Sequence, residues 1–196
     1  MSDDPIEDIE PHDRRRFFLE GLGRALRPVA DYLEDRLPVP TPRTVLRPPG
    51  ALPEDAFLDT CYRCGTCIEA CPAGAIRQHQ GDQGDLSGTP YIDPDIAPCV
   101  VCDDRSCMNA CPSGALHVVE VAEFGMGLAK ITPATCLLAA NRDCGLCVEK
   151  CPVGREAIRL APTGPVEVLE AGCIGCGVCQ HQCPTVPKAI VVTPLS

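Results

Sequence analysis

The stretch Cys61-Tyr-Arg-Cys64-Gly-Thr-Cys67-Ile-Glu-Ala-Cys71-Pro72 sets three cysteines at steps of three, a fourth four residues later, and a proline directly behind it. A cubane iron–sulfur cluster presents its iron corners close together, and a tight C-x2-C-x2-C loop wraps three of them with successive thiolates. The fourth thiolate follows a short helical turn. In two-cluster ferredoxins it binds the other cluster, so that two such runs clasp each other.

Outward from this run the signature recurs. Cys61, Cys99, Cys136 and Cys173 open four groups at steps of 38, 37 and 37 residues, an internal repeat. The other three read Cys99-x2-Cys102-x4-Cys107-x3-Cys111, Cys136-x7-Cys144-x2-Cys147-x3-Cys151 and Cys173-x2-Cys176-x2-Cys179-x3-Cys183, closed by Pro112, Pro152 and Pro184. All sixteen cysteines are therefore candidate iron ligands for four [4Fe–4S] clusters. Gly65, Gly145, Gly175 and Gly177 suit loops that turn backbone N–H groups toward sulfur. Zinc sites pair two C-x2-C knuckles or combine Cys with His, and a disulfide framework predicts no repeated C-x2-C-x2-C, so neither accounts for four Cys-Pro endings. His12, His79, His117 and His181 show no ligand spacing and read as surface or structural residues.

Composition agrees. Sixteen cysteines in 196 residues, with four Phe, three Tyr and no Trp, leave a chain whose apolar burial alone is marginal. A net charge of −10 argues against nucleic acid, whose binding needs clustered positive charge. Each oxidised cubane with four thiolates carries about −2, which takes a fully loaded chain to roughly −18 and favours redox partners with basic docking surfaces. No apolar run is long enough to cross a membrane. No Ser/His/Asp set, phosphate loop or G-x-G-x-x-G fingerprint appears, so no catalytic site of the chain's own is expected.

Three segments follow. Residues 1–37 comprise an acidic tail (Asp3, Asp4, Glu7, Asp8, Glu10, Asp13) and a stretch in which Phe18, Leu22, Leu26, Val29, Leu33 and Leu37 recur at helical steps, predicting an amphipathic helix that docks on a partner or on the body. Arg14-Arg15-Arg16-Phe17-Phe18-Leu19 resembles a twin-arginine export motif, which would give a periplasmic address. Seven charged residues between Glu20 and Arg36 deny it an apolar core, so a cytoplasmic address is expected, with membrane association through a partner. Residues 38–60, with six prolines from Pro38 to Pro53, predict an extended linker. Residues 61–196 form the cluster-binding body. After each Cys-Pro comes a short apolar strand: Ala75-Ile76, Ala115-Leu116 leading to Val118-Val119, Ala157-Ile158, and Ala189 to Val192. In the first three repeats a second one follows before the next group (Tyr91-Ile92, Leu128 to Ile131, Val166 to Leu169), predicting a hairpin between cluster loops. The fold class is α+β: two ferredoxin-like dicluster modules, a polyferredoxin, with an N-terminal amphipathic helical extension.

Arg47-Pro-Pro-Gly-Ala-Leu-Pro-Glu54, the run from Cys99-Val-Val-Cys-Asp-Asp-Arg-Ser to Cys107, and the Cys136-x7-Cys144 gap together resemble the MauM/NapG family of ferredoxin-type proteins over residues 43–194. The resemblance implies four [4Fe–4S] clusters relaying electrons, often from a quinol-oxidising membrane partner toward a periplasmic oxidoreductase. An alternative is the iron–sulfur subunit of a molybdenum-enzyme complex, whose second group has the same x2, x4, x3 spacing. Another, of a different class, is a non-redox scaffold or maturation factor with structural clusters. Cross-ligation allows sequential pairing (first repeat with second, third with fourth) or nested pairing (first with fourth, second with third). Analogy with the four-cluster subunits favours nesting, with Cys183 joining Cys61, Cys64 and Cys67, Cys71 joining Cys173, Cys176 and Cys179, Cys151 joining Cys99, Cys102 and Cys107, and Cys111 joining Cys136, Cys144 and Cys147.

Overall fold

The computed structural model describes residues 43–81, 84–162 and 164–195, and the expected helix over 14–37 lies outside them. Short elements alternate: helices α1 (Glu54–Thr60), α2 (Thr66–Glu69), α3 (Ser106–Asn109), α4 (Leu146–Glu149) and α5 (Val178–Gln182), and strands β1 (Ile76–Gln78), β2 (Pro90–Ile92), β3 (Gly127–Ile131), β4 (Ile158–Leu160), β5 (Val166–Val168) and β6 (Ile190–Pro194). Each of α2 to α5 is the single turn that carries the third cysteine of its group, Cys67, Cys107, Cys147 or Cys179. None is long enough to be stable alone, so its geometry depends on the packing around it.

Two of the expected hairpins form. β1 pairs antiparallel with β2 (Ile76 opposite Ile92) and β4 with β5 (Ile158 opposite Val168). The second does not. β3 pairs instead with β6, Ala129 opposite Val192, so the strand leading into the third repeat closes on the strand leaving the fourth. Its expected partner, Ala115-Leu116, bridges back to Ala51. The reason is the two-module design: within each half the outer strands must find each other, because a strand used for a link between modules would leave its own module open at an edge.

The outer strand of the first module therefore comes from the proline-rich segment. Over residues 43–53 it is free of helix, as its prolines require, but the expected extended linker over 38–60 does not hold: the prolines stop at Pro53, residues 54–60 form α1, and the segment is a working part of the fold. Leu46 bridges to Ile92, Leu52 N–H donates to the Ala115 carbonyl (3.1 Å), and His117 N–H donates to the Gly50 carbonyl (2.8 Å). A Cβ at Gly50 would collide with the His117 carbonyl and lie 2.7 Å from Met108 Sδ, so only glycine fits this approach.

Buried charges lock the segment down. Arg47 is fully buried, and its Nε donates to both carboxylate oxygens of Glu54 (3.2 and 3.1 Å) while Nη1 donates to Thr89 Oγ1 and the Pro90 carbonyl (both 2.8 Å). Its guanidinium sits 4.6 Å from the centre of the buried Phe57 ring. Arg47 and Glu54 are the two ends of the Arg47-to-Glu54 stretch singled out in the sequence. Removing one partner of such a pair strands a charge in the interior. Glu54→Gln should accordingly lower the stability of the first module by about 3–5 kcal/mol, whereas Arg47→Met with Glu54→Leu should recover most of the loss. Denaturant titration followed by circular dichroism measures both, and equal losses would show that packing rather than charge holds the segment.

One apolar core, from Leu46 and Phe57 through Met108, Phe124 and Met126 to Ile158, Ile174 and Ile190, runs through both halves. The cysteines pack against it or belong to it.

Candidate cluster-binding site

The sixteen thiols are all free, and they gather in fours around four apolar cavities. Cavity I is lined by Cys61, Cys64, Cys67 and Cys111. Cavity II is lined by Cys99, Cys102, Cys107 and Cys71. Cavity III has Cys136, Cys144, Cys147 and Cys183, and cavity IV has Cys173, Cys176, Cys179 and Cys151. Every group thus keeps three of its own cysteines and gives its fourth to a neighbour, as the ferredoxin rule requires.

The partner is the adjacent repeat, which corrects the nested expectation. Cys71 lies beside Cys99, not beside Cys173, and Cys111 joins the first group. The hairpins explain the choice: β1–β2 returns the chain from Cys71 to the second loop and β4–β5 from Cys151 to the fourth, so α2 packs on α3 and α4 on α5, whereas between the second and third groups β3 pairs with β6 and no hairpin forms.

These cavities fit a cluster better than a single ion. Among the described residues no three His, Cys, Asp or Glu converge closely enough to hold one metal ion. A zinc site would draw its sulfurs to about 2.3 Å from one centre. Here the thiols stand around a void instead. Its walls are apolar: Ile76, Ile92, Met108 and Phe124 in cavity II, Ala129, Ile174 and Val192 in cavity IV. Burial raises the thiols that point inward. Cys67, Cys107 and Cys176 are pushed up to about 12, and Cys99 and Cys147 to about 11, with Cys179 raised further. Thiolates are stable in such a place only when a cation compensates them, so iron loading should release protons.

Other donors aim at sulfur. Backbone N–H groups of Arg63, Ala75 and Leu116 donate to Cys61, Cys71 and Cys111 Sγ, each at 3.4 Å. Hydroxyls of Thr66 and Thr185 lie 3.2 Å from Cys64 and Cys183, and Ser113 lies 3.6 Å from Cys111. The Thr66 hydroxyl lowers Cys64 below the usual thiol range. Burial would raise Cys111 and Cys183, but the bonds they receive outweigh it and both are lowered. The sequence reading missed these hydroxyls; the available signal was a Ser or Thr two residues after the fourth cysteine in the second and fourth repeats.

The loop glycines divide. Gly65, Gly175 and Gly177 have φ of 78°, 72° and 85°, in the left-handed region, whereas Gly145 is extended and Asn141 (φ 54°) takes the left-handed turn in the longer third loop. The second loop uses Val101 and Arg105 at φ 56° and 49°. His79 stacks on Tyr91 (4.2 Å between centroids) and His181 Nδ1 meets the Pro94 carbonyl at 3.0 Å, so these two histidines are structural.

Asp104 lies on the exposed side of the second loop, between Cys102 and Cys107. Its carboxylate is lowered by the Ser106 hydroxyl, which donates at 2.6 Å, and next by a hydrogen bond from the Cys102 thiol. A carboxylate against a ligating thiolate disfavours an added electron. Asp104→Asn should raise the potential of one cluster and leave the others in place, a modest shift because the side chain is exposed to screening solvent. A redox titration with no potential moved would show that solvent cancels the charge.

Comparison with known proteins agrees with this geometry. A 4Fe-4S dicluster domain model matches residues 60–115, and a 4Fe-4S binding domain model matches residues 133–154 and 170–186. The chain is 40% identical over 127 residues, 63% of its length, to the methylamine utilization ferredoxin-type protein MauM of Paracoccus denitrificans, of which 56% is covered. It is also 40% identical over 118 residues, 59% of its length, to the ferredoxin-type protein NapG of Escherichia coli, of which 51% is covered. The polyferredoxin protein MvhB of Methanothermobacter marburgensis is 35% identical over 99 residues, 48% of this chain and 20% of that one. The chain spans about half the length of the MauM and NapG relatives it matches. With paired cysteine groups, 4Fe-4S domains in both halves and about 40% identity over some 60% of its length, the chain is similar to the MauM and NapG ferredoxin-type proteins.

Proposed function

We propose that this chain carries four [4Fe–4S] clusters, one in each cavity, and works as an electron-transfer protein or subunit. The observation that carries the reading is the division of sixteen cysteines into four sets of four around four apolar cavities. Bound clusters would supply one-electron redox capacity. The chain's own residues hold them, exclude water with apolar walls and direct N–H and O–H groups at the sulfurs. Its donor is a quinol-oxidising membrane partner and its acceptor an oxidoreductase. Both would meet it through basic surfaces, drawn by the net charge of −10 before any cluster is counted. A cytoplasmic address is the reading supported by the seven charged residues between Glu20 and Arg36, which deny the twin-arginine-like motif an apolar core. The alternative of an iron–sulfur subunit of a molybdenum-enzyme complex keeps its basis in the x2, x4, x3 spacing of Cys99 to Cys111, whereas the nested pairing drawn from that analogy does not form.

Protein purified without oxygen should contain iron and acid-labile sulfide in equal amounts, about four of each per cluster, and should take up and return electrons in a potentiometric titration followed by electron paramagnetic resonance. Iron for only one or two clusters would defeat the count. Clusters that never change oxidation state while a partner turns over would favour the scaffold reading.

A further inference from the structure

The two modules meet at a seam. Residues 93–99, which lead into the second cysteine group, lie against the loop and helix of the fourth. Cys99 N–H donates to the Cys176 carbonyl (2.9 Å), joining a residue that lines cavity II to one that lines cavity IV. Around this bond the fourth repeat departs from the other three. The residue after the third cysteine is Ile68, Met108 and Val148 elsewhere, but here it is Gln180, a buried polar side chain. Its amide is used on both sides: Nε2 donates to Asp95 Oδ1 of the first module (3.1 Å) and Oε1 accepts from Val192 N–H of β6 (2.8 Å). His181 adds its contact with the Pro94 carbonyl. Gly177 completes the fit, since a Cβ there would stand 2.7 Å from Pro94 Cβ and Cγ, whereas the corresponding Gly65 has nothing within 4 Å.

We propose that this seam is a built electron bridge, which sets the clusters in the order I, II, IV, III and makes Gln180 and Gly177 positioning residues for transfer between the modules. The proposal rests on the four-cluster reading above. Cavities I and II adjoin through α2 on α3, and IV and III through α5 on α4, so II to IV is the crossing that decides whether the chain is one wire or two. Burying a glutamine costs free energy unless both ends of its amide are bonded, and an apolar residue, as in the other three repeats, would satisfy the core. A polar residue that spends its two bonds on the two modules fits a demand for registration between them. In the crossing step one electron leaves the reduced cluster at II, which is oxidised, and reduces the cluster at IV. No bond forms or breaks and no proton moves. Cavities I and III become the terminal ports, and Cys64, at the first, is exposed.

Two variants of the full, cluster-loaded chain test this: Gln180→Leu, which restores the apolar residue type of the other repeats, and Asp95→Ala, which removes the acceptor on the other side of the seam. Iron and sulfide analysis of the unaltered chain comes first, so a failed cluster count is seen separately from a failed bridge. Both variants should keep their iron. Amide hydrogen exchange at Cys99 should rise about tenfold as its bond to Cys176 opens, the scale expected for one lost hydrogen bond. In the reduced protein the magnetic interaction between clusters II and IV should weaken while those within each module persist, and electron redistribution after a sub-stoichiometric flash reduction should slow. Unchanged Cys99 exchange and unchanged magnetic interaction in both variants would overturn the proposal. So would weakened interaction with undiminished redistribution, which would mean that electrons cross elsewhere. Loss of iron in both variants would make the seam a folding element and equally count against a positioning role.

Discussion

Replacing Cys71 with Ser should leave Cys99, Cys102 and Cys107 open to alkylation while Cys61, Cys64 and Cys67 remain protected. The reason lies in cavity II, where Cys71 is the one cysteine contributed by the first group. A cubane held by three thiolates and a weak oxygen donor is readily lost, taking about four irons with it. The reciprocal change, Cys111→Ser, should free the first group and spare the second. Nested pairing predicts otherwise: Cys71→Ser would then uncover Cys173, Cys176 and Cys179. Mass spectrometry of the alkylated native protein distinguishes these outcomes by position, whereas iron content alone does not. Protection of Cys99, Cys102 and Cys107 in Cys71→Ser would defeat the sequential arrangement.

That contrast also shows what the sequence could and could not tell. The division of the sixteen cysteines into four groups was legible because cluster chemistry demands a tight local spacing, and spacing is written directly in the chain. The β1–β2 and β4–β5 hairpins were legible too, each lying between two loops that must come together. Pairing of the groups is a long-range choice that local spacing leaves open, and an analogy filled the gap wrongly. The strand at Ala51 was missed for a related reason. Prolines at positions 48, 49 and 53 argue against a central strand, and Ala51 makes only an isolated bridge at a module edge, where few ladder bonds are needed. Gln180 had a visible signal, a polar residue where three aligned repeats carry Ile, Met and Val, but its partners at Asp95 and Val192 exist only in the fold.

Gly175→Ala should cost far more than Gly65→Ala, although the two glycines share nearly the same backbone, φ 72° and 78°. For Gly65 the expense is conformational, about 1–2 kcal/mol for placing an L side chain in the left-handed region, because a Cβ would meet nothing within 4 Å. For Gly175 the new methyl would also overlap the backbone nitrogen, carbonyl carbon and oxygen of Gly127. Backbone cannot rotate aside as a side chain can. Gly127 is the first residue of β3, paired with Pro194, and the neighbouring Met126 N–H donates to the Ile174 carbonyl (3.1 Å), so relief requires lifting β3 from the loop that carries Cys173 and Cys176. The loss should reach about 4–5 kcal/mol, the exceptional range for a single substitution, and be accompanied by release of the cluster at cavity IV. Thermal unfolding and iron content of the two variants, made side by side, measure the difference. Equal losses would show that strain at the left-handed turn, and not the approach of two backbones, is what requires glycine in the fourth loop.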